Sequence, residues 1–587
     1  MRVSTSGPSS PIDPALTRRA VVATGTAAAG LATAGLGLLP PADAAGAAET
    51  AGAAGSAAER AGSRVFQHGV ASGDPLPDRV VLWTRVTPSA AALPGSGVGP
   101  EVRVTWEVAT DRAFRRIVRR GKVATSAARD HTVKIDVDGL SPATWYYYRF
   151  HAVGATSRVG RTRTAPREDA ALRSLRIGFT SCANWQSGYF AVYRGLAARD
   201  DLELIVHLGD YFYEYGPGEY GYGPTNEDIR PHVPAKEVLL LADYRQRHAQ
   251  YKTDPDLADL HAKYPWIITW DDHEVADNQW SGGAANHDPA TEGSWERRRA
   301  RAHRAYDEWM PVRMNGTAAL GDGDRLYRRF RFGRLAEISM LDLRSYRSEQ
   351  VSFPGTDAPS EVDDPTRTIT GAAQMAWLKR SLSATEVQWK VIGNPVMIAP
   401  VEFGTLPPEI GSAISGATGV LPAEGLPYNT DQWDGYTADR RTVFSHLASN
   451  KIDDVVFITG DIHSGWAANL PSDPSPLSQD VPSLAVEFVG ASVTSNNLKD
   501  YTGSPPRTTS LVVEAAIKAA NPHIEYLDFD SHGFCILDIT PARTQCDWYV
   551  IGDRRDPATP ITWSVSYLTK AGSNTLTQAD APVKAGS

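Results

Sequence analysis

A chain of 587 residues, 42% hydrophobic and 22% charged, is too long for one ordinary domain and can bury enough apolar surface to hold an internal site. Its formal charge of −9 argues against a polyanion binder, because no basic stripe stands out that would neutralise phosphates. The basic cluster at 297–304 lies among the helically spaced Trp295, Ala302, Ala305, Tyr306 and Trp309 and reads as a solvated helix face, so nucleic acid is set aside as a partner.

Residues 1–44 read as an export signal: Arg18-Arg19 precede a weakly apolar Ala/Gly-rich stretch that ends in the small-residue pattern Pro40-Pro41-Ala42-Asp43-Ala44. The paired arginines predict the twin-arginine export machinery as a partner. The stretch partitions poorly into a bilayer, so no stable membrane anchor is expected, and the mature protein should be secreted or cell-wall-associated. Residues 45–64 have no apolar period and read as a disordered leader.

From 65 to 166 short alternating runs predict an N-terminal all-β sandwich. Leu140-Ser141-Pro142-Ala143-Thr144-Trp145-Tyr146 resembles the fibronectin type III signature, with Tyr146 as the corner tyrosine. A buttress for the following domain is its expected role. From 175 to 568 apolar strand-like runs alternate with amphipathic helical stretches, which predicts a layered α/β domain with strands covered on both faces. Long Pro/Gly/Ser-rich loops are expected at 352–365, 400–429 and 471–482, and a disordered tail at 569–587. Of three cysteines, Cys535 and Cys546 flank a turn that could set them opposite each other for a disulfide. Cys182 is the odd one, either inert or chemical.

Four apolar runs end directly in ligand-type residues: the run to Thr180 in Ser181-Cys182, that to Leu208 in Gly209-Asp210 with Tyr213 and Glu214 beyond, that to Trp270 in Asp271-Asp272-His273-Glu274, and that to Thr459 in Gly460-Asp461-Ile462-His463. In an α/β sheet such endings converge at the carboxyl ends of strands, where ligand sites form. Asp, His and Asn suit di- and trivalent metals, a thiolate and a phenolate suit Fe(III), and the carboxylates suit Ca²⁺, Mn²⁺ or Zn²⁺ beside it. Such a centre activates water for in-line displacement at phosphorus. Glu214 and Glu274 read as supporting groups, His207 as a core histidine, and Asp342 as an ion-pair partner of Arg344.

Ser-Cys-Ala-Asn at 181–184, Gly-Asp-Tyr-Phe-Tyr-Glu at 209–214, Trp-Asp-Asp-His-Glu at 270–274, Asp-Leu-Arg at 342–344 and Thr-Gly-Asp-Ile-His-Ser at 459–464 together resemble the PhoD-type alkaline phosphatases of the calcineurin-like metallophosphoesterase superfamily. Gln-His-Gly-Val-Ala-Ser-Gly-Asp-Pro at 67–75 resembles that family's N-terminal domain. The resemblance implies hydrolysis of small phosphate esters, both phosphomonoesters and phosphodiesters, with one iron and two calcium ions; zinc, manganese and cobalt stay open. It makes Cys182, Tyr213 and His463 iron ligands, Asp210 the carboxylate shared between metals, and Asp461 a ligand of a second metal. Asp272 and Asn278 are both ligand candidates, unranked. His273, with Asp272, is the catalytic group that steadies charge on the substrate or protonates the leaving oxygen. Asn394 stands where related enzymes place a further ligand or substrate contact. The rival readings are a phospholipase-D-like phosphodiesterase on larger exported substrates and a non-catalytic surface-binding protein.

Overall fold

The computed structural model describes residue 62 and residues 64–314, 325–351, 361–384, 386–403, 412, 427–472 and 481–584. The chain divides into the units Met1–Ala54 and Gly55–Ser587. The first unit, with the twin-arginine segment, lies outside the described residues, as do most of the leader and most of the three expected long loops.

In the second unit, the apolar runs that precede the ligand-type residues form the centres of two large sheets. In a ten-stranded sheet, Leu175–Thr180, Leu204–His207 and Pro265–Ile268 run parallel. In a seven-stranded sheet, Ala336–Met340, Trp389–Asn394, Val455–Thr459 and Ser483–Val489 run parallel. The two sheets share one core, with Ile177, Phe179 and Val206 of the first against Ile338, Val391 and Val456 of the second. Helices Ala191–Ala198, Leu241–Lys252 and Trp295–Trp309 cover the outer face of the first sheet. Gly371–Leu382, Thr437–Asn450 and Thr509–Ala520 cover that of the second. Strands covered on both faces explain why these runs are continuously apolar rather than alternating.

The β-sandwich is present and is joined to this frame. Val70–Gly73, Val80–Arg85 and Thr132–Val137 extend the ten-stranded sheet, because Val70–Gly73 pairs parallel with Pro265–Ile268. A separate five-stranded sheet packs across them, with Val104, Val108, Tyr148 and Phe150 against Val80 and Leu82. Tyr146 forms the expected corner, its hydroxyl accepting the backbone N–H of Ser141 at 2.8 Å.

Four expectations are corrected. Residues after 569 do not trail away: Ile561–Lys570 pairs antiparallel with Leu576–Ala579, Leu576 opposite Thr569. Cys535 and Cys546 are free and buried; the hairpin register sets Cys535 opposite Trp548 and Cys546 opposite Leu537. The helix Trp295–Trp309 turns only some of its arginines to solvent: Arg297 and Arg304 are exposed, but Arg298 and Arg299 are not. Arg298 is buried and donates to Glu237 at 2.7 Å and Glu292 at 3.0 Å, while Arg299 donates to the Ser281 carbonyl at 2.6 Å. Asp342 is no ion-pair partner of Arg344: it closes a turn by accepting the backbone N–H groups of Arg344 and Ser345. Among the described residues no helix is long and apolar enough to cross a membrane.

Candidate metal centre

The carboxyl ends of both parallel sheet centres meet, and there the chain turns abruptly. Cys182, Asp210, Asn278, Asp461 and His463 adopt left-handed backbone with φ of 63°, 54°, 54°, 65° and 57°. Non-glycine residues there cost on the order of 1 kcal/mol or more each and cluster at functional sites. Gly209 makes one of these turns possible, since a Cβ at that position would lie 2.5 Å from the Cβ of Asp271.

These turns converge their side chains. The donor atoms of Cys182, Asp210 and His463 all lie within 4.8 Å of one another, as do those of Asp210, Asp272 and His273, and those of Asp210, Asp271, Asp272 and Asp461. Asp210 belongs to all three groups. Tyr213 joins the first group: its hydroxyl donates to Asp210 Oδ2 at 2.9 Å and lies 3.1 Å from His463 Nε2. The other carboxylate oxygen of Asp210, Oδ1, is buried with no hydrogen-bond partner. A buried, unpartnered carboxylate oxygen among a thiol, a phenol and an imidazole is the donor chemistry that a metal ion satisfies.

The electrostatics agree. Burial, with help from Asp272 and Asp271 against the opposing charge of His273, holds Asp210 well above the ordinary carboxylate range. Burial and the Asp210 charge push up both the Cys182 thiol and the Tyr213 phenol. Burial lowers His463 to about 3, so its imidazole is neutral and able to ligate. A cation among these donors would reverse the penalty on each anion.

Surrounding groups hold the donors in place. Glu274 accepts the backbone N–H groups of Asp210 (3.1 Å), Tyr211 (2.6 Å) and Asp271 (2.8 Å), which locks two turns together. Glu214 accepts from His273 Nδ1 at 2.8 Å and from the backbone N–H of Asp277 at 2.7 Å. Both glutamates are thus engaged in hydrogen bonds that brace the turns. His273 stacks against Tyr213 with centroids 4.2 Å apart, and Nδ1 is the ring nitrogen that faces Glu214. Asn278 enters through its backbone, donating to Asp272 Oδ2 at 2.5 Å. Asn394 sits in a different buried network: it donates to Thr459 Oγ1 at 3.2 Å and its oxygen accepts from Trp433 Nε1 at 3.1 Å. His207 is a core histidine, buried 3.2 Å from the Tyr193 hydroxyl.

Several residues of the centre had no place in the candidate site read from the sequence. Arg344 is fully buried, pairs with Asp271, and donates to Asp461 Oδ1 at 3.0 Å and Asp431 Oδ2 at 2.7 Å. Arg347 holds the other oxygen of Asp431 at 2.7 Å. The stretch after the strand Ser483–Val489 contributes Ser495, which donates to the Tyr213 hydroxyl at 2.7 Å or the Cys182 carbonyl at 2.9 Å, and Asn496, whose carbonyl accepts from His463 Nδ1 at 2.9 Å. The signal was there: this strand also ends in small polar residues, a fifth ending of the same kind.

The N-terminal segment and the two-sheet domain both have known counterparts. A family model described as the PhoD-like phosphatase N-terminal domain matches residues 50–166, and one described as PhoD-like phosphatase matches residues 177–548. Alkaline phosphatase D of Bacillus subtilis (strain 168) is 38% identical over 518 residues, which cover 87% of this chain and 82% of that protein. A solved structure of PhoD matches with a TM-score of 0.76 at 35% identity, over 89% of this chain and 94% of that one. With these matches spanning both the sandwich and the domain that carries the metal-binding clusters, the chain belongs to the PhoD-like phosphatase family.

Proposed function

We propose that this PhoD-like phosphatase is an exported alkaline phosphatase that hydrolyses phosphate monoesters and diesters to scavenge phosphate. Cys182, Asp210, Tyr213 and His463 would hold iron; Asp272, Asp461 and Asn278 would hold calcium beside it, with Asp210 shared, and zinc, manganese or cobalt are the alternatives. Bound metal ions supply a water ionised near neutral pH and the charge that steadies the attacking and leaving oxygens of an in-line displacement.

The chain's own groups do the rest. Asp210 spans the centre, so its position sets the spacing of the donors on either side. His273, oriented by Glu214 and stacked on Tyr213, presents Nε2 to the ester and protonates the leaving oxygen. Arg344 bridges the crowded carboxylates of Asp271 and Asp461 and offsets their mutual repulsion. Asn394, engaged by Trp433 and Thr459, would support the floor of the site rather than touch substrate.

The observation that carries this reading is Asp210: it belongs to every metal-binding cluster and keeps one buried oxygen unpartnered. Elemental analysis of the purified protein, with p-nitrophenyl phosphate and bis-p-nitrophenyl phosphate turnover before and after chelation, tests it. Iron with calcium and chelator-sensitive turnover is the expected result, and the two rates rank monoester against diester. A folded, metal-free protein without turnover would support the surface-binding alternative. For export, Arg18→Lys with Arg19→Lys should trap the protein inside the cell, and normal secretion would discard the twin-arginine route.

A further inference from the structure

The outer face of the five-stranded sheet carries charge of the opposite sign to the chain as a whole. Along Val102–Ala109 the buried Val102, Val104 and Val108 face the sandwich core, so Arg103, Thr105 and Glu107 face away from it. The register places Ala124, Lys122 and Arg120 of Ile117–Thr125 beside these three, and Arg149 and His151 of Trp145–Ala152 on their other side. One face therefore gathers Arg103, Arg120, Lys122 and Arg149 around a single carboxylate, Glu107, which Arg149 and His151 already engage at 2.9 and 3.2 Å. Arg103, Arg120 and Lys122 are exposed. The turn that leads into the edge strand adds Arg112, Arg115 and Arg116, also exposed. The expectation that the chain has no basic stripe is corrected here: the run 112–122 holds five arginines and a lysine without an acid, in a protein of net charge −9.

Protection of a sheet edge does not account for this. Charges on an edge strand deter edge-to-edge pairing, and Ile117–Thr125 is such an edge, but Arg103 and Arg149 lie on the second and third strands, where no edge needs guarding. Nor is the whole face spent on internal ion pairs, although Arg149 is paired with Glu107. Further along it, Arg163 pairs with Glu203 at 2.7 Å and Arg161 lies 3.6 Å over the Trp145 ring, so that end is occupied by the neighbouring domain, whereas among the described residues Arg103, Arg120 and Lys122 make no ion pair.

We propose that this face is a docking surface for a linear, phosphate-rich polyanion, bound by Arg103, Arg120 and Lys122. Lys122 and Arg120 alternate along the edge strand, about 7 Å apart, and Arg103 lies diagonal to Lys122 on the neighbouring strand, about 7–8 Å away, an open array that suits a chain of successive phosphates. Charge complementarity and counterion release drive such binding without sequence or shape readout. A phosphatase tethered in this way stays close to polymeric phosphate.

The test is binding of the full chain to long-chain inorganic polyphosphate at about 0.1 M salt, with excess inorganic phosphate present to fill the reactive centre. Arg120→Glu with Lys122→Glu should weaken binding at least tenfold and flatten the slope of log affinity against log salt by roughly 1.5. A charge-matched control, Arg380→Glu with Lys570→Glu, should bind like the parent. Both variants should turn over p-nitrophenyl phosphate normally, which reports that they fold. Equal binding by both variants would reduce the effect to net charge and overturn the proposal. So would absence of binding by the parent, or capture by phosphatidylglycerol vesicles without capture of polyphosphate, which would make the face a membrane contact.

Discussion

On its two sides Asp210 meets donors held by different means. Cys182, Tyr213 and His463 are braced by neutral groups: the Ser495 hydroxyl, the Asn496 carbonyl and the Cys182 carbonyl form the contacts. Asp271, Asp272 and Asp461 surround a buried guanidinium, Arg344, itself shared with Asp431. Burial and the Asp210 charge hold the thiol and phenol of the first side above their ordinary ranges, so a cation placed among them would favour their anions. The second side carries a cation in its own sequence. One centre thus combines a buried thiol and phenol with carboxylates already partly neutralised by Arg344, and the two sides should respond differently to perturbation.

Asp210→Asn removes the residue common to both sides and should erase the distinction. Losing the shared charge is expected to cost about 4 kcal/mol of transition-state stabilisation, on the order of a thousandfold in kcat/KM. Metal content should fall on both sides together. A variant that keeps full metal content and turnover would show that Asp210 bridges nothing.

Arg344→Met acts on the carboxylate side alone. Removing one partner of a buried ion pair leaves uncompensated charge and typically costs 3–5 kcal/mol, so denaturant unfolding should show a loss of about 3 kcal/mol. Added calcium should restore part of that loss, because a bound cation replaces the missing charge. If stability is unchanged, Arg344 does not offset the charge of Asp271 and Asp461.

Why some of this could be read from the chain and some could not follows from the range of the interactions. Cys182, Asp210, Asp272, Asp461 and His463 were legible because each follows an apolar run within a few residues, and a covered parallel strand leaves its ligands at its end. Tyr146 was legible because its corner closes on Ser141, five residues away. Arg344 pairs with Asp431 87 positions along and with Asp461 117 positions along, and no local pattern encodes either contact. The join between the sandwich and the main sheet depends on Ser72 lying opposite Pro265, a pairing that strand propensity does not specify. The strand Ile117–Thr125 escaped notice because its arginines interrupt the apolar alternation by which half-buried strands are recognised. Arg298 was misread for the complementary reason: helical spacing places it toward the protein, and only the fold supplies Glu237 and Glu292 to receive it.

Ser495→Ala is the mildest of these changes and the sharpest test of the comparison. The hydroxyl of Ser495 touches Tyr213 and the Cys182 carbonyl but none of Asp271, Asp272 or Asp461, so its removal perturbs one side only. Groups that orient metal ligands are commonly worth 10–100-fold in metal affinity. The expected outcome is iron affinity lower by about tenfold, a shifted or weakened visible phenolate band, and calcium content unchanged. Equal loss of both metals would mean that the stretch carrying Ser495 supports the whole centre, and the two sides would then be one cooperative unit. Retention of both, with the visible band unmoved, would mean that Asp210, His463 and the stacked His273 ring position the Tyr213 phenol without Ser495.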